Sequence, residues 1–473
     1  MRILLKSGDE IILEDEKEGV EIGDNIVVFD NYGRGILIQL IEMNFYELNR
    51  RSPPADNLLS AEKVKATSSK RNYRYKILME AKKLNGEIKL SDWSGWIPGE
   101  IKEALKVKLQ WLLECIKGPP KYSIDLGKTA DREKLLLDAF YLQGITLIVG
   151  KKGSGKSHLS KLILRDLIKK GCRLIVFDIN DEYSDLKCSV SRGKEGGGPV
   201  KGDGKNHEEI ITLNPGENLK FSLEYVGMDV LYEVLTVPLR LPEISAISFR
   251  NIWSYLEKKN YLRIHEFFKA VNSENNPYVR EALFRRMQQI LATNIFSDEE
   301  KETLPLDVLL KRMEKGGAII INLKKISQVA KIITVQTILS KLQRLLEIGE
   351  QPLWIIAEEA HFYLPKTSWE DIVTRMRHIG AYQIYVTNSP QSLPEMIIRQ
   401  SDNIFLFKLV DKADIAYISP ATNMDADTLT AIVKSLPFRK CLITGEITNS
   451  YPFVVMINPI ETGDTGATRL FLK

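Results

Sequence analysis

The residues best suited to chemistry lie in Gly150–Ser157, which reads Gly-x-x-x-x-Gly-Lys-Ser. The glycines let backbone N–H groups curve around a polyphosphate without a clash from a Cβ atom. A lysine at this spacing reaches the β- and γ-phosphates of a nucleotide, and the hydroxyl after it can hold Mg²⁺. The pattern therefore predicts a loop that binds ATP with Mg²⁺. The alternative, a glycine-rich turn without a ligand, would not require both Lys156 and Ser157.

The flanking elements fit a phosphate-binding role for this loop. Ile145–Val149 is apolar and β-rich, and the residues after the loop have helical periodicity. The helix would point its N-terminus at the bound anion. We therefore expect the whole loop and the residue after it to contact the nucleotide. These candidates are Gly150, Lys151, Lys152, Gly153, Ser154, Gly155, Lys156, Ser157 and His158.

Two adjacent acids end a later apolar segment, in Pro352–His361. We expect Glu358 to hold Mg²⁺ directly or through water, although aspartate is more usual at that place. We expect Glu359 to polarise the attacking water, as a general base does. Hydrolysis is then the predicted outcome, with Lys156 and Glu359 as catalytic residues. The alternative is a switch that only binds nucleotide, in which Glu359 caps the next helix.

Polar residues also follow two other predicted strands. Asp178 and Glu182 come after Arg173–Asp178, where ligands bind in parallel sheets. Either acid could orient water or the metal, and either could equally be a cap or turn carboxylate. Asn388 follows a strand at Ala381–Thr387 and could sense the γ-phosphate by hydrogen bonding.

Composition indicates a soluble globular chain with substantial cores. Hydrophobic residues make up 44% of the 473 positions and charged residues 27%. The net charge is only +4, so a DNA contact must be a local patch or a channel. Four scattered cysteines without a C-x-x-C pair indicate neither a disulfide framework nor a zinc site and suit the cytoplasm. No apolar run is long enough to span a membrane, so we expect no membrane partner.

Strand and helix patterns predict two domains with a boundary near Pro120. Residues 1–120 show short, closely spaced strands, which predict a small β-barrel or a twisted antiparallel sheet, and then a helix over 100–117. Residues 121–473 alternate buried strands with helices, which predicts an α/β core. Helical periodicity over about 225–315 predicts a helical insertion between core strands.

Three other stretches have a recognisable composition. Residues 51–56 and the glycine-rich 192–206 predict loops, and the second should be mobile. Lys70–Lys76 interleaves basic and aromatic residues, which would suit nucleic-acid binding. We favour a half-buried strand there, with tyrosines on one face and cations in water.

Together these motifs resemble the HerA/FtsK superfamily and, within it, the archaeal HerA-type hexameric DNA translocases. Phe177–Tyr183 looks like the family's strand-end Asp-x-x-x-Glu-Tyr, and Ile356–His361 matches its acidic motif. Val386–Pro390 aligns with a family segment that usually reads Gln-Arg-Pro. Leu436–Glu446 resembles the family's C-terminal Leu-Pro … Gly strand.

The resemblance implies a RecA-like P-loop ATPase core after a small N-terminal β-barrel, a hexameric ring, double-stranded DNA in its channel and a NurA-type nuclease partner. Two departures concern the site. Asn388 stands where glutamine is common, and Ser389 stands where arginine is common. Arg375 or Arg377 could supply the missing cation to a neighbouring subunit as an arginine finger. A solvated helix face explains both arginines equally well.

The leading hypothesis is an ATP-driven DNA translocase or helicase, a ring motor in DNA end resection. Lys324 and Lys325 are candidate DNA contacts. One alternative is a DNA-packaging or conjugation-type ATPase. A second is a nucleotide-controlled assembly scaffold without motor activity, which the departures at Asn388 and Ser389 would favour.

Overall fold

A computed structural model describes most of the chain. The described residues are 1–15, 20–45, 71–84, 86–129, 132–184, 186, 209–299, 302–303, 305–363 and 375–460. The predicted loops at 51–56 and 192–206 lie outside these ranges.

The chain forms two compact units. The first contains Met1–Phe140, Gly150–Gly155 and Asn403–Asn458, and the second contains Tyr141–Val149 and Lys156–Asp402. The domain boundary near residue 120 stays a prediction. Within the described part of the chain, none of the helices combines the length and the apolar character needed to cross a bilayer.

The first unit begins with an antiparallel sheet in the order β1-β2-β5-β4-β3-β7, with β6 beside β5. Its strands are β1 (Arg2–Ser7), β2 (Glu10–Asp15), β3 (Asn25–Phe29), β4 (Arg34–Phe45), β5 (Arg71–Leu84), β6 (Glu87–Ser91) and β7 (Glu103–Lys106). Alternating side chains of these strands form an apolar core. The sheet agrees with the small N-terminal β domain of the predicted fold.

Residues 71–76 of the basic and aromatic stretch lie in β5 and confirm the strand interpretation. Tyr73 and Tyr75 are buried, while Arg74 between them pairs with Glu10 at 2.6 Å and Glu42 at 3.1 Å. The glutamates raise the pKa of the Arg74 guanidinium. Arg74 is therefore matched by two carboxylates of the same unit.

The predicted helix over 100–117 is wrong in its first half. Glu103–Lys106 is strand β7, paired antiparallel with β3, and only Leu109–Lys117 forms helix α1. Glu, Ala, Leu and Lys favour a helix intrinsically, but the edge of β3 offers backbone partners that a helix would leave unpaired. Two antiparallel strands follow, β8 (Ser123–Lys128) and β9 (Lys134–Asp138).

The second unit contains a parallel sheet in the order β12-β13-β11-β14-β15-β10. Its elements before the insertion are β10 (Ile145–Val149), α2 (Lys156–Lys169), β11 (Arg173–Asp178) and β12 (Glu209–Leu213). The helices of the insertion are α3 (Leu223–Val226), α4 (Met228–Thr236), α5 (Glu243–Lys258), α6 (Ile264–Asn272), α7 (Pro277–Leu291) and α8 (Leu306–Arg312). The remaining elements are β13 (Gly317–Asn322), α9 (Gln328–Glu347), β14 (Leu353–Glu358), β15 (Ala381–Thr387) and α10 (Glu395–Arg399).

The central strands are buried along their whole length, which is why they read as continuous apolar runs rather than as alternating patterns. Because the strands are parallel, their carboxyl ends meet at one edge of the sheet, where ligands bind in this architecture. The α/β class and the helical insertion of the predicted fold are confirmed.

The C-terminal segment returns to the first unit. Its elements are β16 (Asn403–Leu406), α11 (Lys412–Ile418), α12 (Ala426–Ser435), β17 (Lys440–Gly445) and β18 (Phe453–Ile457). The strands pair antiparallel as β16-β17-β18, and β18 continues onto β8. An ion pair of 2.8 Å joins Lys76 of β5 to Asp425, the N-cap of α12. Gln39 of β4 donates a hydrogen bond to the carbonyl of Pro452.

Candidate nucleotide-binding site

The phosphate loop connects β10 to α2, as the sequence predicts. Gly153 and Gly155 have φ angles of 76° and 120°, and the second lies where only glycine is at ease. Lys151, Lys152 and Gly153 are exposed. Lys156, the first residue of α2, is 8% exposed, so its ammonium group is largely withdrawn from bulk water.

Contacts within the first unit fix the shape of the loop. A Cβ atom on Gly150 would lie 2.5 Å from the Cβ of Phe407. The Lys151 amide donates to the carbonyl of Lys408 over 2.8 Å. The amide of Arg439 donates to the carbonyl of Ser154 over 3.0 Å. The segments after β16 and before β17 therefore support the loop.

Glu359 is held at the carboxyl end of β15. Its backbone is left-handed, with φ 44°, and its amide donates to the carbonyl of Val386. One carboxylate oxygen accepts the Thr387 hydroxyl at 2.8 Å, and the other accepts the Asn388 amide at 3.0 Å. Since Thr387 pairs with Val149, the last residue before the loop, this carboxylate lies at the edge where the phosphate loop leaves the sheet.

Glu358 is buried beside the first helix of the core. Its Oε1 accepts the Tyr183 hydroxyl at 2.9 Å, and that hydroxyl lies 2.6 Å from Ser160 of α2. Its Oε2 is buried and has no hydrogen-bond partner among the described residues. Burial, followed by the negative charges of Glu182 and Asp178, raises the pKa of Glu358 well above its usual value.

These observations fit a place for Mg²⁺. A buried carboxylate oxygen without a donor is costly unless a cation binds it. Mg²⁺ usually takes one or two protein oxygens and completes its shell with phosphates and water. Ser157, in the first turn of α2, and Glu358 would hold it. These two ligands stay a prediction from the sequence.

Asp178 is a turn carboxylate. Its oxygens accept the amides of Asn180, Glu182 and Tyr183 at 3.2, 3.0 and 2.9 Å. Burial is the main cause that raises its pKa. Of the two interpretations of this acid, the contacts favour the structural one. Asp178 shapes the turn that delivers Tyr183 to Glu358.

The remaining candidates lie in different places. Asn388 is exposed just beyond β15, where its amide anchors Glu359. Arg377 pairs with Asp402 at 2.8 Å, and Asp402 also accepts the amide of Ile145 at 2.7 Å. Ile145 begins β10, so this ion pair lies at the end of the strand opposite the phosphate loop. Arg377 therefore has a carboxylate partner within its own chain. Arg375 is exposed.

Two residues that shape the site are not among those predicted from the sequence. The Tyr183 hydroxyl links α2 to Glu358, and only the tyrosine of the Asp-x-x-x-Glu-Tyr pattern hinted at it. Arg439 contacts the loop from a segment more than 280 residues later, and no local pattern marks it.

The buried position of Glu358 gives a pH-dependent prediction. Glu358→Gln should raise the free energy of unfolding of the metal-free protein at neutral pH, since glutamine can still accept the Tyr183 hydroxyl without carrying a charge. The folded-state pKa is raised above the 4.5 of the unfolded chain, so the stability that the protonated acid contributes is present below pH 4.5 and is lost as pH rises. The advantage of the variant should therefore grow as pH increases.

Denaturant unfolding with a chelator, at about pH 5 and about pH 7.5, measures this difference. Glu395→Gln is the matched control because, among the described residues, Glu395 pairs only with the exposed Arg399. A Glu358→Gln variant that is less stable than the wild type at both pH values would contradict the prediction.

The loop, the parallel sheet and the paired acids at its edge define the class of P-loop NTPases. Residues 124–342 match the family model for the central domain of helicase HerA. The predicted resemblance to the HerA/FtsK superfamily is thereby confirmed, since the matching family model and the curated relatives below are of the HerA type.

Among curated proteins, the chain is 21% identical over 460 residues to a probable helicase of Methanocaldococcus jannaschii, covering 91% of this chain and 85% of that protein. It is 20% identical over 333 residues to the DNA double-strand break repair helicase HerA of Saccharolobus solfataricus, covering 66% of this chain and 64% of the relative. The chain thus spans less than two thirds of that HerA.

Two solved structures show the same fold. VirB4 of Thermoanaerobacter pseudethanolicus matches with a TM-score of 0.50 and 14% identity, over 72% of this chain and 98% of that one. The bacterial conjugative coupling protein TrwB matches with a TM-score of 0.52 and 12% identity, over 77% and 94%. The predicted P-loop ATPase core is therefore confirmed as the fold.

Proposed function

We propose that the protein is an ATP-driven DNA translocase or helicase that works as a hexameric ring on double-stranded DNA. The observation that carries the hydrolytic part is the carboxylate of Glu359, oriented by Thr387 and Asn388 beside the strand that leads into the phosphate loop. A fixed carboxylate at this edge is positioned to accept a proton from the attacking water.

The residues of the chain divide the work. Backbone amides of Gly150–Gly155 would cradle the phosphates, and Lys156 would balance their charge. Ser157 and Glu358 would hold Mg²⁺, which when bound neutralises charge on the phosphates. Glu359 orients water and takes its proton, so the leaving diphosphate needs only charge stabilisation. TrwB, which shares the fold, has been solved with ADP and Mg²⁺.

The proposal that the protein acts on DNA is supported by the names of its relatives. Two HerA proteins in the same family carry the name DNA double-strand break repair helicase. We also propose a role in end resection with a NurA-type nuclease, and action in the cytoplasm. Both proposals rest only on the similarity to these HerA proteins. Lys324 is 52% exposed but lies 3.8 Å from Asp181, so it would reach DNA only by leaving this carboxylate.

The test is ATP turnover measured with and without duplex DNA over a range of salt concentrations. A motor should be stimulated by DNA, and the stimulation should weaken as salt rises because phosphate contacts release counterions. If duplex DNA did not stimulate turnover at any salt concentration, the proposal of a DNA translocase would be contradicted. Nucleotide-dependent assembly without turnover would instead support a scaffold.

A further inference from the structure

Arg439 occupies an unusual position next to the phosphate loop. Its amide donates to the carbonyl of Ser154 at 3.0 Å. A Cβ placed on Gly155 would lie 3.3 Å from both the Cα and the Cγ of Arg439, so the arginine side chain begins directly over the last glycine of the loop. The loop residues Gly150–Gly155 and Arg439 belong to the same compact unit.

The backbone of Arg439 is held in a conformation that arginine rarely adopts. Its φ is 61°, in the left-handed region that favours glycine and asparagine. Its carbonyl also accepts the amide of Ile457 at 2.9 Å, so both sides of the residue are fixed. A strained residue that the surrounding structure holds in place is typical of a ligand site.

Among the residues that the structure describes, none pairs an anionic side chain with the Arg439 guanidinium. Its Nε is buried without a hydrogen-bond partner, and no carboxylate of the described residues forms an ion pair with it. The guanidinium carbon lies 5.7 Å from the centroid of the Phe438 ring. The neighbouring cation differs, because Lys440 is paired with Glu21. An arginine left unpaired beside a phosphate loop suits the bidentate binding of phosphate oxygens.

We infer that Arg439 is a phosphate-binding residue of the nucleotide site, contacting the polyphosphate of a nucleoside triphosphate from within the same chain. The inference rests on the proposed function, since it concerns the same site. It supplies a cation in cis, whereas Ser389 stands where relatives of the family commonly carry arginine. Arg439 would then add an arginine of the same chain to the positive charge that Lys156 brings to the phosphates.

The experiment compares Arg439→Asn with Arg439→Lys. Asparagine tolerates the left-handed backbone and removes the charge, whereas lysine keeps the charge. Direct binding of a non-hydrolysable ATP analogue and of AMP is measured by calorimetry. Loss of a charge-assisted contact should weaken analogue binding by about ten- to a hundredfold in the asparagine variant, with partial recovery in the lysine variant. Binding of AMP should change much less.

Lys440→Gln is the matched control, since it removes an adjacent positive charge that already has a carboxylate partner; analogue binding should be unchanged. Thermal unfolding confirms that each variant is folded. Equal analogue affinity in wild type and Arg439→Asn would overturn this inference and leave the proposed function standing. If the wild-type protein does not bind the analogue, the proposed function falls, and the inference falls with it. An equal loss for AMP and the triphosphate would indicate a structural role and would also overturn it.

Discussion

Replacing Glu359 by glutamine should lower the ATP turnover number roughly 10²–10⁴-fold while nucleotide binding persists. The reason is local. Glutamine is nearly the same shape and can still accept the Thr387 hydroxyl, so the side chain should stay at the end of β15. An amide cannot take a proton from water at neutral pH, so the chemical step loses its base and the phosphate loop keeps its ligand.

Steady-state turnover and direct binding of ATP, measured on the same preparation, separate the two effects. Glu395→Gln serves as the control, because in the described part of the chain that glutamate forms only an exposed ion pair with Arg399 on α10. If the Glu359 variant kept wild-type turnover, another group would have to accept the proton. If binding were lost together with turnover, Glu359 would be acting through the shape of the site.

Asparagine at Gly155 should abolish tight nucleotide binding, whereas asparagine at Gly153 should leave most of it. At Gly155 the φ of 120° is strained for any L side chain, and the added Cβ would meet Phe407 at 3.1 Å and Arg439 at 3.3 Å. At Gly153 the φ is 76°, which asparagine tolerates, and no atom of the described residues beyond its two chain neighbours lies within 4 Å of the added Cβ.

An asparagine at position 155 would introduce backbone strain of about 1–3 kcal/mol, which the loop must move to relieve. The loop amides would then no longer point at the phosphates. We expect a loss of at least about tenfold in affinity for a non-hydrolysable ATP analogue in Gly155→Asn and less than about threefold in Gly153→Asn. Equal affinities in the two variants would show that the loop adapts freely to either side chain.

The phosphate loop and the paired acids could be predicted because each is a contiguous pattern with its strand beside it. Glu358 and Glu359 end a buried apolar run, and Gly150–Ser157 follows another, so the sheet edge that unites them was implied. Tyr73 and Tyr75 alternate with Arg74 and Lys76, and this period of two correctly indicated a half-buried strand.

What could not be predicted depends on partners distant in the chain. Helical periodicity placed Arg377 on a helix, but nothing local indicates that Asp402 neutralises it. The same limit applies to Arg439 and the phosphate loop. The strand Glu103–Lys106 was missed because its residues favour a helix, and the edge of β3 decided otherwise. Local sequence patterns thus predicted which residues form the candidate site. The contacts that hold each side chain depend on residues distant in the chain.

The return of Asn403–Asn458 to the unit that begins at Met1 has a consequence for how the chain is made. As the protein leaves the ribosome, the N-terminal sheet must wait for Lys440, Pro452 and Val454 before its contacts with them can form. Such distant pairings fold slowly and leave apolar surface open meanwhile. The second unit, nearly continuous in sequence, can form first. We therefore expect synthesis to complete the parallel sheet before the unit in which the chain started.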